Sequence, residues 1–120
     1  MGLQEFLQYD FIGAPIDARF GHGYNGGLSI RYVPAMIAAI QGAQWPAPTF
    51  EDQWFFEQLN ASGARLPSQD VASRFAVETI WRDRPFGLHQ PSRWQKDNLE
   101  KLEAWCPEWK LLGVDNPFNL

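Results

Sequence analysis

Cysteine is nearly absent from this chain of 120 residues: Cys106 stands alone, so no internal disulfide can form. Histidine is scarce as well. His22 and His89 are the only two, in separate segments, and no Cys/His cluster has the spacing of a structural zinc site. No apolar run approaches the ~18–20 residues of a membrane-crossing helix. The opening Met1-Gly2-Leu3-Gln4-Glu5-Phe6 lacks the basic-then-apolar order of a signal peptide, so the chain as written is expected to be soluble and untargeted. Basic side chains are outnumbered ten to fourteen, giving a net charge of −4 and a pI near 5.0. That balance repels a polyanion and excludes nucleic acid as an expected partner. Repeats, low-complexity stretches and linkers are also lacking. At roughly 100–200 residues per domain, the length predicts one domain over residues 1–120 and excludes a two-domain enzyme. What is present is a globular composition, 45% hydrophobic and 15% aromatic.

Charge is unevenly placed. Residues 1–60 carry two basic against six acidic side chains, residues 61–120 eight against eight, and between Phe20 and Phe50 only Arg31 is charged. A segment so poor in charge is expected to be central and largely buried. Tyr9-Asp10-Phe11-Ile12-Gly13-Ala14-Pro15 reads as a strand closed by Gly and Pro. Four glycines among Gly21-His22-Gly23-Tyr24-Asn25-Gly26-Gly27 read as a loop, because glycine loses the most backbone entropy on ordering; Leu28-Ser29-Ile30-Arg31-Tyr32 then alternates as a half-buried strand. Val33-Pro34 opens a helix stopped at Gly42, with Met36, Ile37 and Ile40 on one face. After a Trp45-Pro46-Ala47-Pro48 loop, Thr49 is placed to cap a helix whose buried stripe is Phe50, Trp54, Phe55 and Leu59 and whose end lies between Asn60 and Gly63. Leu66 to Asp70 resembles another capped start, Phe75 to Trp81 a strand, and Phe86 to Pro91 a strand end or loop. Leu99, Leu102 and Cys106 mark a closing helix ended by Pro107. The sum is an α/β unit of mixed order.

Three places have the residue types for chemistry. The Asn25-Gly26-Gly27 stretch lets backbone approach a ligand closely, or is an ordinary tight connection; it is no P-loop, which needs Gly-Lys-Ser/Thr leading into a helix. Glu51 and Asp52 sit where the helix dipole favours negative charge by ~0.3–1 kcal/mol, and Asp52 is within reach of the Thr49 backbone as a cap. The alternative is a general base walled by Phe50, Trp54 and Phe55. His89 is either a metal ligand or a loop histidine bonded to backbone. Most of the six tryptophans belong to a core, whereas Trp45 and Trp94, each near a proline, suit stacking platforms for a sugar ring.

Four segments in this order resemble a glycosyltransferase-like family that carries a domain-of-unknown-function label: Tyr9 to Pro15, Asn25-Gly26-Gly27-Leu28-Ser29-Ile30-Arg31, Glu51-Asp52-Gln53-Trp54-Phe55, and Phe75-Ala76-Val77-Glu78 followed by Phe86-Gly87-Leu88-His89. The resemblance runs from about Tyr9 to Trp109. It implies the second, acceptor-side half of a GT-A-like mixed sheet with flanking helices and an incomplete nucleotide-binding part. By that likeness Asn25, Gly26 and Gly27 lie near the donor sugar and Trp54 belongs to the substrate side. Glu51 and Asp52 face the acceptor, with Asp52 preferred as the base and Glu51 orienting the hydroxyl. His89 falls where such enzymes place a late metal ligand. The implied partners are a nucleotide-sugar and a glycan or other hydroxyl acceptor. Manganese or magnesium is implied for the complete family domain and none for this chain alone.

The chain also departs from that pattern. GT-A enzymes generally hold their metal on Asp-x-Asp upstream of the Gly-Ala-Pro segment, and no Asp-x-Asp occurs here; Asp10 has no partner two residues away and Asp17 comes too late. The expectation is therefore a transferase half that is inactive as this short chain, or a non-catalytic remnant that binds a glycan or a protein. An uncovered sheet edge at Tyr9 to Ala14 is expected to invite self-association. Localisation stays open, since related transferases often work in the secretory lumen.

Overall fold

The computed structural model describes residues 2–46 and 49–112. The chain is mixed α/β, with one antiparallel and one parallel strand pair among the described residues. A 3-10 turn at Leu3–Phe6 plants the Phe6 ring in the core before β1 (Phe11–Pro15), β2 (Tyr24–Arg31) and helix α1 (Val33–Gly42). Helices α2 (Glu51–Ala61) and α3 (Gln69–Phe75) follow, then the two-residue strands β3 (Ala76–Val77) and β4 (Gly87–Leu88). Short helices α4 (Pro91–Trp94) and α5 (Leu99–Glu103) and a 3-10 turn at Pro107–Leu112 close the described chain. The expected Ala47-Pro48 part of the second loop lies outside the described residues.

β1 pairs antiparallel with β2, and the pairing carries the main irregularity of the fold. Gly13 faces Ser29 but the next residue, Ala14, faces Asn25, so Gly26, Gly27 and Leu28 have no opposite number and form a bulge. Glycine is required beneath it: a Cβ on Gly13 would lie 2.2 Å from the Asn25 carbonyl oxygen. Leu28 in turn packs where a Gly87 side chain would be, 2.3 Å from that absent Cβ. Gly21, His22 and Gly23 are loop as expected, whereas Tyr24 to Gly27 belong to β2, because the bulge takes up the residues a flat ladder would refuse.

α3 starts as its sequence dictates, the Ser68 hydroxyl accepting the Val71 amide at 3.2 Å, a cap worth ~1 kcal/mol. Phe75 at its end meets Phe6 edge-on at 5.2 Å. These rings, with Phe11, Ile12, Tyr24, Met36 and Leu59, form the core. β1 is buried at all five positions, packed by α3 and β3. The uncovered edge expected at Tyr9 to Ala14 is therefore covered over Phe11 to Ala14. The strand expected over Phe75 to Trp81 shrinks to Ala76–Val77, paired parallel with Gly87–Leu88.

The charge-poor segment is the larger correction. Met36 is buried, but Val33, Ile37 and Ile40 are exposed, as are Phe20, Tyr32, Trp45 and Phe50, the last at 73%. Lack of charge marked a face left exposed among the described residues, not a buried centre. Phe50, expected in the buried stripe, is instead the residue before α2, which starts without a side-chain cap; Thr49 does not provide one. Trp54 and Leu59 are buried as expected. At the far end, Leu102 is fully buried and Pro107 opens a turn after α5 has already ended at Glu103.

Candidate functional site

The bulge of β2, the first turn of α2 and the segment after β4 meet around one cleft of about 370 Å³. Asn25, Asp52 and His89, singled out in the sequence on three distant segments, all line it, together with Ile16, Phe20, Phe50, Gln53, Glu78, Thr79, Gln90, Arg93 and Trp94.

Asp52 is the joint between helix and bulge. Its Oδ2 accepts the Gly26 amide at 2.9 Å and its Oδ1 the Gln53 amide at 2.8 Å. The expected return bond to Thr49 is replaced by one that spans from α2 to β2. Asn25 Oδ1 accepts the Gly27 amide at 2.7 Å, fixing the bulge from within, and the Ser29 hydroxyl donates to the Gly26 carbonyl at 3.1 Å. Space is tight: a Cβ on Gly26 would lie 2.3 Å from Arg31 Nη2 and 2.7 Å from Glu51 Oε1.

Glu51 parts company with Asp52, as neighbours ~100° apart on a helix must. Both its oxygens accept from the Arg31 guanidinium, at 2.8 and 3.0 Å, and it lies outside the cleft lining. The same guanidinium carbon sits 4.8 Å from the Phe11 ring centre and 5.5 Å from that of Phe55. Trp54, expected on the substrate side, is 4% exposed, packs edge-on against Phe55 at 5.0 Å and is not a cleft residue.

His89 donates its backbone amide to the Val77 carbonyl at 2.9 Å. Its Nδ1 is hydrogen-bonded to Glu78, which is 6% exposed. The backbone carbonyl of Glu78 accepts from Gln95 Nε2 at 2.7 Å. Across from this pair, Gly27 again has no room for a side chain: its Cβ would be 2.2 Å from His89 Nε2. Among the described residues no group of three or more His, Cys, Asp or Glu side chains is placed to hold a metal. His89, expected as a metal ligand, pairs through Nδ1 with Glu78, and the described donors around it do not make up a cation site by themselves. Asp10 and Asp17 are likewise occupied, Asp10 accepting the Arg65 amide at 2.8 Å and Asp17 bound to Arg19, which holds its carboxyl below the usual range.

The last wall is aromatic. Trp94 and Phe20 meet edge-on at 4.9 Å on the cleft, and Arg93 lies over the indole at 4.9 Å. Trp45, the other tryptophan considered as a platform, bonds to the Thr49 carbonyl at 2.8 Å and is not a cleft residue. Gln90, at φ 50°, takes the left-handed turn between His89 and α4. A non-glycine residue held there costs of order 1–3 kcal/mol and marks a segment its surroundings over-determine. The sequence reading missed Glu78 as a site residue, although a carboxylate directly after the apolar run Phe75-Ala76-Val77 signals a buried acid in need of a partner. It also passed over Arg31, whose isolation in a charge-poor segment was the available signal.

Comparison with curated proteins and with solved structures finds no match. Residues 1–89, which carry β1, the bulge, the Asp52 turn and the Glu78–His89 pair, match the model of a family described as protein of unknown function (DUF5672), and the chain belongs to that family.

Proposed function

We propose that this chain is the acceptor-side half of a GT-A-like glycosyltransferase domain, in which a sugar passes from a nucleotide-sugar to an acceptor hydroxyl in the cleft between the β2 bulge and His89. The observation that carries the reading is the convergence of Asn25, Asp52 and His89 on one cleft with an aromatic wall. The bulge offers backbone where a side chain would keep a hexose away, the edge-on Phe20–Trp94 pair offers aromatic surface to ring C–H groups, and Asp52 supplies a carboxylate for the attacking hydroxyl. Glu51 drops out as the base in this reading, since Arg31 holds both its oxygens. In this reading the nucleotide and a manganese or magnesium ion are assigned to the complete family domain, and none of the described residues is given to them.

A second reading, glycan binding without transfer, draws on Asp52 itself, whose two oxygens each already accept a backbone amide. Transfer of labelled sugar by the complete natural protein, compared with donor hydrolysis and with glycan binding under the same conditions, decides between them. Transfer supports the first reading, and glycan binding with neither transfer nor donor hydrolysis supports the second.

A further inference from the structure

We infer that Glu78 is a positioning residue that holds His89 as its Nδ1–H tautomer, so that the cleft receives the Nε2 lone pair as a hydrogen-bond acceptor for a ligand hydroxyl. The buried carboxylate of Glu78 lies against Nδ1. An ionised carboxylate only accepts, so the proton on the neutral ring belongs on Nδ1 and the lone pair on Nε2. Glu78 cannot drift away: its backbone is tied by Gln95, and His89 is tied to the neighbouring strand through Val77. The ring's hydrogen bond is at Nδ1, which leaves Nε2 without a partner among the described residues, and the ring lies against Gly27, whose lack of a side chain leaves it room. A buried acid, an oriented imidazole and a glycine notch from three separate segments are more than packing needs, since an apolar residue in place of Glu78 would fill the same space without a desolvated carboxylate.

The assignment of the tautomer stands apart from the proposed function; the use of Nε2 by a hydroxyl rests on it, and the experiment separates the two. Nitrogen-15 spectra of the two histidine side chains, recorded where neutral imidazole dominates and assigned with His22→Asn, read the tautomer directly. His89 is expected to show an unprotonated Nε2 and a protonated Nδ1. In Glu78→Gln, whose amide donates as readily as it accepts, the Nε2 signal should move toward the protonated range. In Gly27→Ala, where the new methyl displaces the ring, the His89 signals should shift and those of His22 stay. A protonated Nε2 in the parent protein overturns the inference, and so does a folded Glu78→Gln protein with an unchanged tautomer. Titration with free glucose then tests the ligand role: a saturable shift at His89 Nε2 and none at His22 supports it, and no shift at His89 with the tautomer as expected overturns that part alone.

Discussion

Asp52 Oδ2 accepts the amide of Gly26, 26 residues earlier in the chain, at 2.9 Å, and this bond fixes the bulge of β2 to the first turn of α2. Asp52→Asn is nearly isosteric but turns an NH₂ group toward one of the two amides. If the protein transfers sugar as proposed, the change is expected to lower that transfer by a factor of ~10²–10⁴ with donor affinity little changed, as loss of a proton acceptor does. Steady-state kinetics alongside a thermal melt check this. Unchanged turnover, or a loss of stability large enough to account for the whole effect, returns Asp52 to a purely structural role.

Two glycines of the same chain should respond oppositely to one methyl group. Gly13→Ala drives a Cβ into the Asn25 carbonyl, which is backbone and cannot rotate away, and is expected to cost ~1–3 kcal/mol. Gly42→Ala at the end of α1 meets nothing within 4 Å and should stabilise by ~0.4–1 kcal/mol through the unfolded chain. Urea midpoints of the two variants should fall on opposite sides of the parent, and equal midpoints would count against the tight bulge.

Alkaline stability should depend on Tyr24. Burial, with Tyr9 nearby, pushes its phenol up to about 12 from 10.0, and its hydroxyl donates to the Pro67 carbonyl. The neutral form is the one that fits the fold. Its stabilisation is intact below the unfolded pKa of ~10 and is lost as pH rises through the folded value. The melting temperature is expected to fall between pH 10 and 12, and the Tyr24→Phe protein, less stable by ~0.5–1.5 kcal/mol from the lost hydrogen bond, should show a shallower fall. Parallel slopes for the two proteins would contradict the assignment.

Residues 1–120 alone are expected to transfer no sugar and to bind nucleotide weakly, because the sequence holds no Asp-x-Asp. They are also expected to self-associate, through the exposed apolar residues of α1 and not through β1. Ile37→Lys with Ile40→Lys should lower light scattering while changing unfolding free energy by under ~0.5 kcal/mol per site, as exposed positions do. Leu102→Ala, at a fully buried site, should cost ~2–5 kcal/mol. Donor hydrolysis by the isolated chain, or scattering that ignores the lysines, would be the contrary results.

Local chemistry was legible in the sequence where one residue decides the matter. Pro34 and Gly42 bracket α1, Ser68 caps α3, and Phe11 to Pro15 form a strand as their β-prone run requires. What failed depends on partners far apart in sequence. The three-residue surplus in β2 is invisible until β1 is laid beside it, since a run of glycines reads the same in a loop and in a bulge. The Glu78–His89 bond needs β3 and β4 side by side, and strands of two residues leave no periodic trace. The exposed stripe on α1 misled because periodicity shows that a face is apolar without showing that anything covers it. Asn25, Asp52 and His89 were found by residue type, and only the fold could bring them together or set Glu51 and Trp54 apart.

Arg31 gives the joint between sheet and helix an unusual tolerance. Its fork on Glu51 is an exposed ion pair that added salt weakens. The flat side of the guanidinium is held by Phe11 and Phe55 through dispersion and the ring quadrupole, which ions in solution hardly touch. In brine the surface pairs such as Asp17–Arg19 are expected to loosen, while the contacts of Arg31 with Phe11 and Phe55 should keep α2 docked. The trade is strict about identity, because lysine would keep the charge and lose the plane.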